Sequence, residues 1–139
     1  MKIVILGSDS QIGILFNNNF KNFNFFKLNK KNLDIKDLDN AYKILKNIQP
    51  NVIINTAAFT DVDLSEVKSD EAFQVNSLGP KNLSIIASEI NSFLIHFSTD
   101  YVFDGLKNSL YNEIDKTNPI SVYGKSKLSG EENIITHCA

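Results

Sequence analysis

Two short stretches carry the residues best suited to moving a proton. "STDYVFDG", residues 98–105, places two hydroxyls and a carboxylate directly after an apolar run. "SVYGKSK", residues 121–127, sets Tyr123 and Lys127 one helical turn apart, so a helix starting after Pro119 presents both on one face. A tyrosine in water titrates near ~10, but an ammonium a few ångströms away stabilises tyrosinate and lowers that value. A drop of about two or three units brings the phenol into the working range of a general acid at neutral pH. With a hydroxyl from Ser98 or Thr99 holding a carbonyl oxygen, Tyr123 gives that oxygen its proton as hydride arrives, and Lys127 grips a nicotinamide ribose. A Tyr–Lys pair in one helix is by itself most often coincidence. It gains weight from a second motif.

That motif is "ILGSDSQIGILF". Gly7 follows a strand, Gly13 falls in the first turn of a helix, and Ser10 stands where the dinucleotide fingerprint has its middle glycine. Gly7 makes the tight turn, Gly13 lets helix and strand approach, and free N–H groups at the helix start receive a pyrophosphate. Two glycines at a strand-to-helix turn also serve packing alone. Ser10 either donates its hydroxyl to phosphate or pushes the diphosphate outward. In "LNKKNLDI", Asn29, Lys30 and Lys31 occupy the place of a ribose-reading acid. An acid there favours a free 2′-hydroxyl, whereas lysines attract a 2′-phosphate, which tilts the choice between NADPH and NADH toward NADPH. Loop lysines are as often merely solvated. Asp34 and Ile35 can flank an adenine, and Ala57, Ala58 and Phe59 in "NTAAFTDVD" are small or flat where backbone passes a ribose, although an Ala pair serves close packing equally well.

These motifs need elements to position them. The runs "KIVIL" (2–6), "NVIIN" (51–55) and "SFLIHF" (92–97) are β-branched or aromatic and continuous, which predicts strands buried on both faces of a parallel sheet. "NFFKL" (24–28) is a weaker fourth. Helices are expected over 11–21, over 37–48 with Leu38, Ala41, Ile44, Leu45 and Ile48 on one stripe ended by Pro50, and over 121–136. A longer helix falls within 69–90, with Phe73, Val75, Leu83, Ile86 and Ala87 facing the core and Pro80 as a kink point. Alternating strands and helices with right-handed crossovers predict an α/β, Rossmann-like doubly wound parallel sheet in the order 2-1-3-4. The order reverses between the first and third strands, and the unusual residues cluster at the strand ends beside that switch point, where such sheets bind ligands.

Bulk properties narrow the classes further. The 139 residues correspond to one domain, and a net charge of −2 offers no basic field for nucleic acid or an anionic membrane. All 14 basic residues are Lys and Asn is abundant, a compositional bias rather than a site. The single Cys138 has no internal partner and no metal-ligand spacing around it, so no metal site is expected and the setting is taken as cytoplasmic. His96 reads as a satisfied sheet histidine and His137 as uninformative. "MKIVILG" is too short for a signal-peptide core, and no run approaches the ~20 apolar residues of a membrane span.

The blocks "GSDSQIG", "QPNVIINTAAFTDVDLSE", "VNSLGPKNL", "HFSTDYVFDG" and "YNEIDKTNPISVYGKSKLSGEE" together resemble the extended short-chain dehydrogenases/reductases over nearly the whole chain. They are most similar to the branch that reduces dTDP-4-dehydro-L-rhamnose to dTDP-L-rhamnose with NAD(P)H. The resemblance implies that Tyr123 is the general acid, Lys127 its partner and a cofactor ligand, and that Thr99 and Asp100 contact the sugar and tune proton transfer. It places Ser10, Gln11, Ile12, Asp34, Ile35, Ala57, Ala58 and Phe59 at cofactor contacts, with Phe97 and Asn76 as weaker ones. Ser10 and Asn29 depart from the family pattern.

Family members continue with further strands and a C-terminal region that holds the nucleotide sugar. The expectation is therefore an incomplete NAD(P)-binding domain over 1–139, its "SFLIHF" strand an open sheet edge, completed by a partner chain or a homodimer. Two alternatives stay open: a non-catalytic dinucleotide-binding or regulatory subunit of the same fold, or an inactive fragment. Within the enzymes, another sugar-nucleotide epimerase or reductase is the competing assignment.

Overall fold

The structure is a computed structural model that describes residues 1–19, 23 and 25–137. Cys138, Asn24 and the end of the helix expected over 11–21 lie outside the described residues. Four parallel strands form the sheet: β1 (Ile3–Leu6), β2 (Phe25–Leu28), β3 (Val52–Asn55) and β4 (Phe93–His96), in the order β2-β1-β3-β4. That is the expected order, and it puts the switch point between β1 and β3.

The strand register sorts the side chains into two faces. Val4, Leu6, Phe26, Ile53 and Leu94 share one face, which α2 (Leu38–Ile48) and α5 (Gly79–Glu89) cover with Ala41, Leu45, Leu83, Ile86 and Ala87. Burying each large aliphatic side chain in this layer contributes ~1.5–3 kcal/mol. Ile3, Ile5 and Ile54 share the other face, covered through Phe16 by α1 (Gln11–Asn19). Helices on both faces make the sheet doubly wound. On α2, Leu38 departs from the expected stripe: it is the first residue of the helix and is 39% exposed.

β4 departs from the expectation of burial on both faces. Phe93 is 68% and Ile95 38% exposed. α1 meets this end of the sheet through Phe16, whose ring lies edge to face on Phe97 at 6.1 Å, and leaves Phe93 and Ile95 largely uncovered. β4 pairs with β3 alone, so its other edge is open among the described residues, as expected.

The helix expected within 69–90 is built in three parts: α4 (Ser69–Phe73), a π-helical turn (Gln74–Leu78) and α5. Pro80 explains the interruption. It lacks the N–H that Asn76's carbonyl needs in an α-helix, and its ring crowds that carbonyl. The chain widens instead, and the Gly79 N–H bonds the carbonyl of Gln74. Two short elements had no periodic signal: α3 (Val62–Val67), capped by Asp61 through the Leu64 N–H at 2.9 Å, and a 3₁₀ turn over Asp100–Val102.

The last helix, α6 (Val122–His137), packs on α4, the π turn, α5 and the 3₁₀ turn through small and polar residues. A Cβ at Gly130 would collide with the Asn76 carbonyl oxygen, and one at Gly124 with that of Tyr101. This close approach permits cross-links from Asn76 Nδ2 to Ser126 Oγ (3.0 Å) and between Ser77 and Ser129 (2.8 Å). Lys127 is carried in with them. No helix of the described residues is long and apolar enough to cross a membrane.

Candidate active site

A cavity of about 760 Å³ opens at the carboxyl ends of β1, β2 and β3. Gly7, Ser10, Gln11 and Ile12 form one wall, Asp34 and Ile35 a second, and Ala57, Ala58 and Phe59 a third. Gly13 stands behind the wall. A Cβ there would lie 2.5 Å from the Gly7 carbonyl oxygen and 2.9 Å from Ser8 Cα, so only glycine lets α1 sit this close to the loop. Gly7 has φ +71°, and a Cβ on it would meet Ala57 N at 2.7 Å. Both glycines are required by geometry.

Ser10 turns inward. Its Oγ accepts the Gly13 N–H at 3.0 Å, capping α1, and lies 2.9 Å from Thr56 Oγ1. Thr56 points its own proton at the carbonyls of Leu6 (2.8 Å) and Gly7 (2.9 Å), so Ser10 is the donor to Thr56. The hydroxyl is thus hydrogen-bonded within the protein, while Ser10 itself lines the cavity. The N–H groups of Gln11 and Ile12 have no partner among the described residues and begin a helix, which fits an anion.

The other walls are held by buried amides that sequence reasoning undervalued. Asn82 Nδ2 bonds the carbonyls of Ile35 (3.0 Å) and Lys36 (3.1 Å), fixing the loop that carries Asp34. Asn76 accepts the Phe59 N–H (2.8 Å), donates to the Phe59 carbonyl (3.0 Å) and reaches Ser126 on α6. Its amide is saturated and 1% exposed, so Asn76 positions the Phe59 loop and does not itself face the cavity. Lys30 lines the cavity, while Asn29 folds back to accept the N–H of Lys31 (3.0 Å) and Asn32 (3.2 Å).

Tyr123, Lys127, Thr99 and Asp100 stand outside this cavity, beyond β4. Thr99 Oγ1 caps the 3₁₀ turn by accepting the Tyr101 N–H (3.2 Å) and lies 3.3 Å from Asp100 Oδ1. Ser98 is hydrogen-bonded to Glu131 on α6. Asp100 faces a smaller cavity of about 350 Å³ lined also by Tyr101, Phe103, Asp104 and Tyr111. Asp104 shapes that wall: its carboxylate accepts from the Leu106 N–H, Asn118 and Tyr111, which holds it below the usual carboxylate range. Tyr101 and Tyr123 meet edge to face at 5.6 Å.

Lys127 is 2% exposed. Its Nζ donates to the Phe97 carbonyl at 2.5 Å and lies 3.2 Å from His96 Nε2; it is not bonded to Tyr123. Burial pushes its pKa down to about 8, against a smaller upward pull from Glu131. Burial, and then the Lys127 charge, push His96 down to about 3, so its imidazole is neutral. Phe97, a weak candidate from sequence, joins the site through its carbonyl. His96 was passed over, yet the register sets it opposite Asn55 at the strand ends, a repeated polar position after apolar runs that marks a site edge.

The family model described as the RmlD substrate binding domain matches residues 1–139. The dTDP-4-dehydrorhamnose reductase of Aggregatibacter actinomycetemcomitans is 39% identical across 97% of this chain and 47% of that protein. The spore coat polysaccharide biosynthesis protein SpsK of Bacillus subtilis is 34% identical across 96% of the chain and 48% of its own length. A crystal structure of the dTDP-4-dehydrorhamnose reductase from Bacillus anthracis, in complex with NADP, superposes with a TM-score of 0.94 at 31% identity, covering 98% of this chain and 49% of that one. The chain spans about half the length of the curated relatives it matches. With the whole sequence matched and the glycine loop, switch-point cavity and Tyr123–Lys127 helix arranged on one parallel sheet, the chain belongs to the RmlD substrate binding domain family.

Proposed function

We propose that this chain is the nicotinamide-nucleotide-binding part of a sugar-nucleotide reductase that converts dTDP-4-dehydro-L-rhamnose to dTDP-L-rhamnose. The observation that carries the proposal is the switch-point cavity with the unpartnered N–H groups of Gln11 and Ile12 at its mouth, flanked by the Thr99 turn and the Tyr123–Lys127 helix. The reductase relatives support the substrate, and the NADP in the B. anthracis structure supports the cofactor.

The residues divide the work. Gln11 and Ile12 take the pyrophosphate through their N–H groups, with Gly7 and Gly13 holding the loop open. Asp34 and Ile35 border the adenine, and Ala57, Ala58 and Phe59 border a ribose. Lys30 on the cavity wall favours the 2′-phosphate of NADPH over NADH. Bound in this site, the reduced nicotinamide supplies hydride to the C4 ketone. Tyr123 gives its phenolic proton to the ketone oxygen, Thr99 and Asp100 orient the sugar, and Lys127 holds the ribose.

The test is titration of the chain with NADPH and NADH, following nicotinamide fluorescence with circular dichroism on the same samples. Saturable binding with NADPH preferred is expected. A folded chain that binds neither nucleotide overturns the proposal.

A further inference from the structure

The chain Asn55–His96–Lys127 runs from the end of β3 through β4 into α6, and its hydrogen-bond polarity can be followed atom by atom. The Ala57 N–H donates to Asn55 Oδ1 at 3.1 Å, which fixes the amide with Nδ2 as the remaining donor. Asn55 Nδ2 lies 3.0 Å from His96 Nδ1. In a neutral imidazole one nitrogen donates and the other accepts. Nδ1 therefore accepts, and the proton sits on Nε2, aimed at Lys127 Nζ 3.2 Å away.

Two donors would face each other there if Lys127 were an ammonium. A neutral amine satisfies every group: it accepts from His96 Nε2–H and donates to the Phe97 carbonyl. Reversing the imidazole instead requires turning the Asn55 amide, which sets its NH₂ against the Ala57 N–H in a place where Asn55 is 1% exposed. The geometry points to His96 as a positioning residue that, oriented by Asn55, holds Lys127 Nζ and favours its unprotonated form. Burial of Lys127 acts in the same direction.

The charged groups on the elements around α6 do not reverse this. Glu66 on α3 bonds the Val122 N–H, Glu71 on α4 pairs with Lys68, and Asp100 is held at Thr99. Glu131, on α6 itself, raises the Lys127 pKa by less than burial lowers it. The inference deepens the reductase proposal, in which Lys127 becomes a group that takes up or gives up a proton near neutral pH beside Tyr123 rather than a fixed cation.

The experiment is NMR on the ¹⁵N-histidine, ¹³C-lysine-labelled chain without nucleotide. His137 is an internal control of opposite sense, because its Nδ1 faces the Asn133 carbonyl at 2.7 Å and must carry a proton. His96 is expected to show a bare Nδ1 and a protonated Nε2. An Nδ1–H tautomer or an imidazolium at neutral pH overturns the inference, and this arm needs no variant. The second arm follows the Lys127 side-chain carbons through a pH titration, assigned with Lys127→Met. His96→Phe is expected to raise the proton affinity of Lys127 about tenfold, one pKa unit. An unchanged or lowered affinity overturns the inference, since it would mean that the imidazole accepts from an ammonium. A folded chain that shows both signatures yet binds no nicotinamide nucleotide overturns the reductase proposal and leaves this one supported.

Discussion

Gly13→Ala reverses the usual sign of a helical Gly→Ala substitution. At an open helix position, alanine gains ~1 kcal/mol over glycine. At Gly13 the new methyl would meet Gly7 O at 2.5 Å, Ser8 C at 2.9 Å and Ser8 Cα at 2.9 Å. All three are backbone atoms, so no side chain can rotate away, and reaching a relaxed separation requires α1 to retreat by about 1 Å. Overpacking of this kind costs ~1–3 kcal/mol, and the retreat strains the Gly13 N–H to Ser10 bond, worth about 1 kcal/mol. After crediting the propensity gain, the net loss is ~2 kcal/mol. Urea unfolding would place the midpoint about 1 M lower with an unchanged slope. NADPH affinity should fall as well, because the Gln11 and Ile12 N–H groups move with the helix. A midpoint at or above that of the unmodified chain would refute the claim that α1 is docked against the Gly7 loop.

Three further outcomes are expected. Because Lys127 titrates at about 8 in the folded chain against 10.5 unfolded, its charge is a burden below pH 8; stability should rise between pH 8 and 10.5 by ~3 kcal/mol relative to Lys127→Met, read by denaturation across that range. Lys30→Glu should weaken NADPH binding about tenfold and leave NADH within a factor of two or so, measured by nicotinamide fluorescence; equal losses would remove Lys30 from 2′-phosphate recognition. Tyr123→Phe, in a protein joining this chain to the C-terminal half of a relative, should lower turnover of the dTDP-linked ketone by ~10²–10⁴ with nucleotide affinity unchanged; unchanged turnover would disqualify Tyr123 as the acid.

The sheet order was legible because three continuous apolar runs end in polar or small residues, a local signal that survives translation into structure. Burial of β4 was not, since Phe93 and Ile95 read as core but their exposure depends on whether another element covers them. Ser10 shows a different limit. Its residue type suits phosphate, but its direction is decided by Thr56, 46 residues away. His96 was set aside for the same reason: nothing within its own strand announces Lys127 on α6 or Asn55 on β3. The glycines of the loop were readable because a tight turn and a close approach admit no other residue. The amides Asn76 and Asn82 were hidden in a composition already rich in asparagine.

The π turn before Pro80 also acts as an angular offset. One extra residue in a helix rotates everything after it by about 100° relative to an uninterrupted course. Within the turn, Asn76 and Ser77 face α6; downstream, Leu83, Ile86 and Ala87 are turned toward the sheet. A single uninterrupted cylinder has one phase, fixed from end to end. By changing phase at Gln74–Leu78, this helix addresses two partners in succession: the polar seam that seats Lys127, and the apolar layer that makes the sheet rigid enough to hold it there.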